Sequence, residues 1–345
     1  MRTVALAVHG WYHPASETDS YIKYLSMSLN TVGIANYKLE GYHIPYGTLY
    51  QPFFASTLRY VMKYKTSEDL VHDIYGDSVF RGVDVATIQD LYWNTEQRSS
   101  LNKVIQIIQR IYQSYYRTLK HSRRIIVTTS FTKNQLIKYY GKEFSNKIDV
   151  IPIPCEPSEF EEREKDEYDV IWIGTSQFRK LPTKFVKVIS KLPKDFRIRI
   201  LIQPTSAVLS EDMNYIRSLI QQYLAEGRTI EITENRLSLK ELNYLYRSSK
   251  CLVSTSEYEG FHMPVAEAYL RGTCVVLPDI EVYRAQYKNE EGIFWYSPFS
   301  NDLAETIKRA VQYGRFNVDI KLKERLSLNN VGSLLMSTYQ KLEKR

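Results

Sequence analysis

The fold is decided by Ser254–Pro278, STSEYEGFHMPVAEAYLRGTCVVLP. It follows the apolar run Cys251, Leu252 and Val253, which reads as a buried strand. A polar turn then carries Glu257, Glu259, Gly260 and His262, and Pro264 marks the first turn of a helix. Proline suits that place because first-turn N–H groups have no intrahelical acceptor. Gly272 ends the helix, and Thr273–Leu277 reads as the next buried strand. Strand, loop, helix and strand in this order predict a parallel sheet. The loop should lie at its carboxyl edge, where α/β folds hold ligands.

Two carboxylates frame the loop, Glu259 before the turn and Glu267 in the helix. The helix N-terminus offers free N–H groups and a partial positive charge, which suit an anion. Carboxylates accept hydrogen bonds from sugar hydroxyls. Together they describe a site for a phosphorylated sugar. The plain alternative is a capped helix with solvent-facing glutamates.

Glu259–Ala268, EGFHMPVAEA, resembles the E-x7-E signature of retaining glycosyltransferases of family 4. The resemblance implies the GT-B architecture, an α/β fold of two Rossmann-like doubly wound parallel-sheet domains facing a central cleft. It implies that Glu259 contacts the donor sugar and Glu267 the ribose. The loop backbone at Gly260, Phe261, His262 and Met263 would meet sugar and diphosphate. His262 stands where that family most often has glycine. After the expected strand Tyr168–Ile173, Gly174–Lys180 (GTSQFRK) is similar to the family's G-R-x-x-x-x-K segment. Lys180 takes the role of the diphosphate-neutralising lysine, while Thr175 replaces the arginine and Arg179 supplies a neighbouring charge. Expected catalytic residues are therefore Glu259, Lys180 and Arg179. Arg236 and Leu237 are expected beside the donor base, from a loop on the same sheet edge.

The N-terminal half also alternates: strands Thr3–Val8, Asp69–Ile74, Asp84–Ile88 and Lys147–Ile151, with a helix over Asp19–Leu29 and another capped by Ser130 and running through Tyr140. DLVHD, VATIQDLYW and TTSFTKNQLIKYYG resemble segments of the same family. They suggest acceptor-side roles for His72, Gln89 and Asp90, with His13 and Glu17 from the first loop. Gln89 stands where many members carry a histidine. The first loop offers the donor only Gly10, where the family has two glycines. His72 has a second reading, as a satisfied strand-end histidine.

At 345 residues the chain suits two domains. We expect an acceptor-side domain over 1–151, a linker over 152–167 and a nucleotide-sugar domain over 168–320. One helix over 321–345 should pack back towards the first domain. No apolar run approaches the roughly 20 residues of a membrane span, and MRTVALAVHGWYH reads as a first strand rather than a signal peptide. Cys155, Cys251 and Cys274 lack metal or redox spacing, so a reducing cytoplasm is expected. The net charge of +7 is modest, but residues 98–147 hold eleven Lys or Arg against Glu143. Lys103, Arg110, Arg117 and Arg124 recur every seventh residue and would share one side of a continuous helix. Such a stripe fits an anionic membrane surface or a phosphorylated acceptor, and equally a solvated face. That gives a cytoplasmic protein, peripheral on the inner membrane face if the stripe binds lipid. Nucleic acid is not expected. The 28 tyrosines carry no functional reading.

The expected function is retaining transfer of a sugar from a UDP- or GDP-sugar to a hydroxyl of a lipid, glycan or protein. Neither metal nor cofactor is expected, since no D-x-D or histidine cluster asks for one. The alternatives are an inactive glycosyltransferase-like partner subunit, or an epimerase or phosphorylase of the same fold.

Overall fold

The computed structural model describes residues 4–8, 20–34, 37–41, 70–74, 83–92, 110, 117–155, 165–204, 211–288 and 290–343. Gly10, His13, Glu17 and Lys103 lie outside them. The chain divides into two compact units, Met1–Pro154 with Leu326–Arg345, and Cys155–Arg325.

Among the described residues, the first unit has six parallel strands: β1 (Val4–Val8), β2 (Tyr37–Gly41), β3 (Leu70–Asp73), β4 (Val85–Ile88), β5 (Arg124–Val127) and β6 (Ile148–Val150). Their order is β2-β1-β3-β4-β5-β6, so the winding reverses between β1 and β3. Helix Ser20–Thr31 packs closely against helix Leu328–Glu343. The approach is possible because residue 332 is glycine: a Cβ there would sit 2.3 Å from the Ser28 carbonyl oxygen.

The second unit again has six parallel strands: β7 (Tyr168–Thr175), β8 (Arg197–Gln203), β9 (Thr229–Thr233), β10 (Ser249–Val253), β11 (Cys274–Pro278) and β12 (Ile293–Tyr296). Their order, β9-β8-β7-β10-β11-β12, reverses between β7 and β10. The inner strands are continuous apolar runs such as Val170–Ile173 and Cys274–Leu277, as expected of parallel strands buried on both faces. Trp172, Phe185, Val253 and Val276 are among the residues that pack its core.

Three expectations change. The single C-terminal helix is two, Ile320–Leu326 and Leu328–Glu343. Ser327 breaks it by capping the second, its Oγ accepting from Asn330 N at 3.2 Å. Thr129, rather than Ser130, caps helix Ser130–Tyr140, accepting from Thr132 N at 3.1 Å. The basic stripe does not run along one helix: Arg117–His121 is a 3-10 turn and Arg124 opens β5. The Arg124 guanidinium is spent on Asp149, at 2.9 and 2.5 Å. Arg110 is exposed. No helix of the described residues is long and apolar enough to cross a membrane.

Candidate active site

The reversal in the second sheet sets the carboxyl ends of β7 and β10 side by side, the place where ligands enter open α/β sheets. The loops leaving these strands are sewn together. Thr255 Oγ1 accepts from Trp172 Nε1 at 3.0 Å and donates to the Lys180 carbonyl at 2.7 Å. Glu257 N donates to the Arg179 carbonyl at 2.9 Å. Among the described residues, two non-glycine residues have a left-handed backbone, and each loop holds one: Leu181 (φ 49°) and His262 (φ 66°). That state costs on the order of 1–2 kcal/mol for a residue with a Cβ and gathers at functional loops.

Glu259 is only 3% exposed. Its Oε1 accepts from Lys180 Nζ, and its Oε2 from Arg179 Nη1 at 2.7 Å. Burial by itself would raise this carboxyl, but the Lys180 and Arg179 charges outweigh burial and hold it well below the usual carboxylate range. His262 Nδ1 lies 3.8 Å from Glu259 Oε1. Burial first, then the Lys180 charge, push the imidazole down to about 3, so it is neutral. Lys180 and Arg179 together place two cationic groups beside the buried carboxylate, groups of the kind that engage an anionic ligand.

Glu267 lies in helix Met263–Leu270 and is buried. Its Oε2 accepts from Tyr246 Oη at 2.8 Å, and Arg271 lies above the Tyr246 ring at 5.5 Å. Burial raises this carboxyl, against the Arg271 charge and the Tyr246 hydrogen bond.

The structure thus gathers Glu259, Lys180, Arg179 and His262. Gly260 and Phe261 are buried in the same loop, and Met263 opens the helix. Thr175 ends β7, its Oγ1 buried with no hydrogen-bond partner. Arg236 and Leu237 follow β9 at the outer end of the same sheet, two strands from β7, with Arg236 exposed. In the first unit, Gln89 and Asp90 follow β4, and Gln89 Nε2 is buried without a partner. His72 has both ring nitrogens engaged, Nδ1 with Tyr339 Oη and Nε2 with Thr87 Oγ1, each at 2.7 Å. Both ring nitrogens of this buried histidine are therefore matched within its own unit.

Tyr246, Arg271, Ser254 and Tyr283 escaped the sequence reading. Tyr283 Oη lies 2.6 Å from His262 Nδ1 and 2.8 Å from Ser254 Oγ. The abundance of tyrosine was the one available signal, since Tyr246 and Tyr283 orient Glu267 and His262.

Two parallel-sheet α/β units, one with a charged cluster at its switch point, have the architecture of the GT-B class of glycosyltransferases. The chain is similar to sucrose-phosphate synthase from Thermosynechococcus elongatus, with TM-score 0.75, 17% identity and all of each chain covered. It is similar to WaaG, a glycosyltransferase involved in lipopolysaccharide biosynthesis, with TM-score 0.68, 12% identity and 99% of this chain and 98% of that one covered. It is also similar to Anabaena Alr3699/HepE in complex with UDP and glucose, with TM-score 0.66, 12% identity and 100% of this chain and 99% of that one covered. At these identities the likenesses establish the fold. Residues 156–328, half of the chain, match the family model for glycosyl transferases group 1, and the chain belongs to that family. A curated relative, the O-antigen chain mannosyltransferase RfbU of Salmonella typhimurium, is 26% identical over 224 residues; the match spans 61% of each chain.

Proposed function

We propose that this protein is a retaining glycosyltransferase of family 4 that moves a sugar from a nucleoside diphosphate donor to a hydroxyl acceptor. The observation that carries the reading is the burial of Glu259 between Lys180 and Arg179 at the switch point. The Glu259 carboxylate accepts from both cations. A donor diphosphate would take over part of that pairing and release Glu259 to accept from sugar hydroxyls. Glu267, oriented by Tyr246, would accept from the ribose.

In the transfer the bond between the sugar C1 and the phosphate oxygen breaks, and a bond from C1 to the acceptor oxygen forms on the same face. The acceptor proton passes to the departing diphosphate. Lys180 and Arg179 neutralise the additional negative charge that grows on the diphosphate as the bond breaks, so they stabilise the transition state more than the donor, whose diphosphate is already anionic.

UDP or GDP is the favoured donor nucleotide, and the UDP and glucose named with Alr3699/HepE support the first. The names of RfbU and WaaG favour a growing glycan acceptor, lipid-linked if it resembles lipopolysaccharide. Heat unfolding with UDP, GDP, ADP and their sugar conjugates tests the reading, because specific binding raises the midpoint by mass action. One responding nucleotide names the donor, and proton NMR of the glycoside made from it reads retention directly. No response to any of them would favour the inactive-partner reading.

A further inference from the structure

His262 keeps a side chain where the backbone asks for glycine. Its φ of 66° and ψ of 74° strain any residue with a Cβ, and glycine would adopt them freely. The imidazole is nevertheless retained, 7% exposed, and its Nε2 is buried with no hydrogen-bond partner. A buried polar nitrogen left unmatched is rare unless something outside the chain matches it.

The neighbouring groups assign the tautomer. Ser256 N donates to Ser254 Oγ at 3.4 Å. If Ser254 donates to Tyr283 at 2.8 Å, and Tyr283 to His262 Nδ1 at 2.6 Å, every proton in the chain has an acceptor. Ser254 Oγ also lies 3.4 Å from His262 Nδ1, so both neighbouring hydroxyls can donate to that nitrogen. Burial keeps Tyr283 a phenol, its pKa pushed well above the ordinary value. Nδ1 therefore accepts, and Nε2 carries the hydrogen. The result is a fixed neutral N–H donor in the same cluster as Lys180 and Arg179.

We propose that His262 Nε2–H donates a hydrogen bond to an oxygen of the nucleotide-sugar, and that Tyr283 is the positioning residue that holds the tautomer. The inference rests on the glycosyltransferase reading. The accepting oxygen belongs to the diphosphate or to a sugar hydroxyl, which take an N–H in the same way.

The test uses the full chain labelled with 15N in histidine, as wild type, His262→Gly and Tyr283→Phe. Each is titrated by calorimetry with UDP, GDP and their common sugar conjugates. His262→Gly should fold, since it removes backbone strain, and should lose roughly ten- to a hundredfold in donor affinity. An equal loss with the bare nucleotide places the oxygen on the diphosphate, and a loss confined to the sugar conjugate places it on the sugar. In wild type the His262 ring signals should show hydrogen on Nε2 and should shift as donor binds. In Tyr283→Phe that tautomer should be lost along with affinity. Unchanged donor affinity in His262→Gly, or ring signals indifferent to a donor that does bind, overturns the inference alone. A wild-type chain that binds no nucleotide sugar overturns the glycosyltransferase reading and this inference with it.

Discussion

Lys180 and Glu259, 79 residues apart in the chain, form an ion pair closed off from solvent between the loops after β7 and β10. Neither charge could be buried alone, because desolvation of an unpaired ion costs far more than a domain's stability allows. Each loop therefore depends on the other to stay closed. Removing the lysine by Lys180→Met leaves the carboxylate to Arg179, and we expect a loss of roughly 3 kcal/mol. Adding Glu259→Gln should return part of it. Urea unfolding of both single variants and the double variant measures the coupling, and strictly additive losses would refute it.

Two buried histidines make the fold acid-sensitive. Burial is the main cause in both, pushing His72 down to about 4 and His262 down to about 3. Unfolded, both titrate near 6.5. Between those values the unfolded chain takes up protons that the folded chain refuses, so stability there rises with pH. It is full above about pH 6.5 and falls as the pH drops towards 4, by on the order of 3 kcal/mol for His72. Glu259 acts lower: its carboxyl is depressed on folding, so its contribution is full above the ordinary 4.5 and is lost as the pH falls below it. Urea midpoints from pH 4 to 7.5 should flatten in His72→Gln. A slope identical to wild type would mean that His72 is not the neutral group inferred.

Tyr246→Phe removes one oxygen and leaves the shape of the core intact. Glu267 then loses the donor to its Oε2, in a site where burial already raises its carboxyl. A destabilisation of about 1–3 kcal/mol follows from leaving a buried acceptor unmatched. If Glu267 holds the ribose, donor affinity should weaken as well. Calorimetric titration against UDP or GDP reads the second effect, and thermal unfolding the first.

Gly332→Val should destabilise the first unit by about 1–3 kcal/mol, because its side chain would have to displace the Ser28 carbonyl. Helix Ser20–Thr31 and helix Leu328–Glu343 would separate. Amide exchange in those two helices should quicken while β7 and β10 keep their protection. Uniform loss across both units would argue against a local clash.

Much of the second unit was legible before any coordinates. Ser254–Pro278 folds as its pattern predicts, because a buried strand, a polar turn, a proline at a helix start and a closing glycine are all short-range signals. The same holds for β7, expected over Tyr168–Ile173 and observed over Tyr168–Thr175. Strands β2, β5 and β12 and helices Pro182–Val188 and Glu281–Tyr287 were missed, being short and weakly periodic. Arg124 misled because a seven-residue recurrence reads as a helix face whether or not the helix continues. Ser327 misled because a capping serine inside an apolar pattern looks like any polar helix position.

What local chemistry decides is which elements form and which residues ride on the loops between them. The strand pattern and the family resemblance together placed Glu259, His262, Lys180 and Arg179 on strand-end loops. They left open which of them touch, because the order of strands in a sheet is settled by long-range packing. The reversal between β7 and β10 brings Glu259 onto Lys180 and Arg179. Protonation follows from that contact and from burial, so an ionised Glu259 beside a neutral His262 belongs to the tertiary structure alone. So do the two tyrosines: nothing near Tyr246 or Tyr283 in sequence announces a partner, because Glu267 and His262 lie 21 residues away from each and meet them only when the core closes.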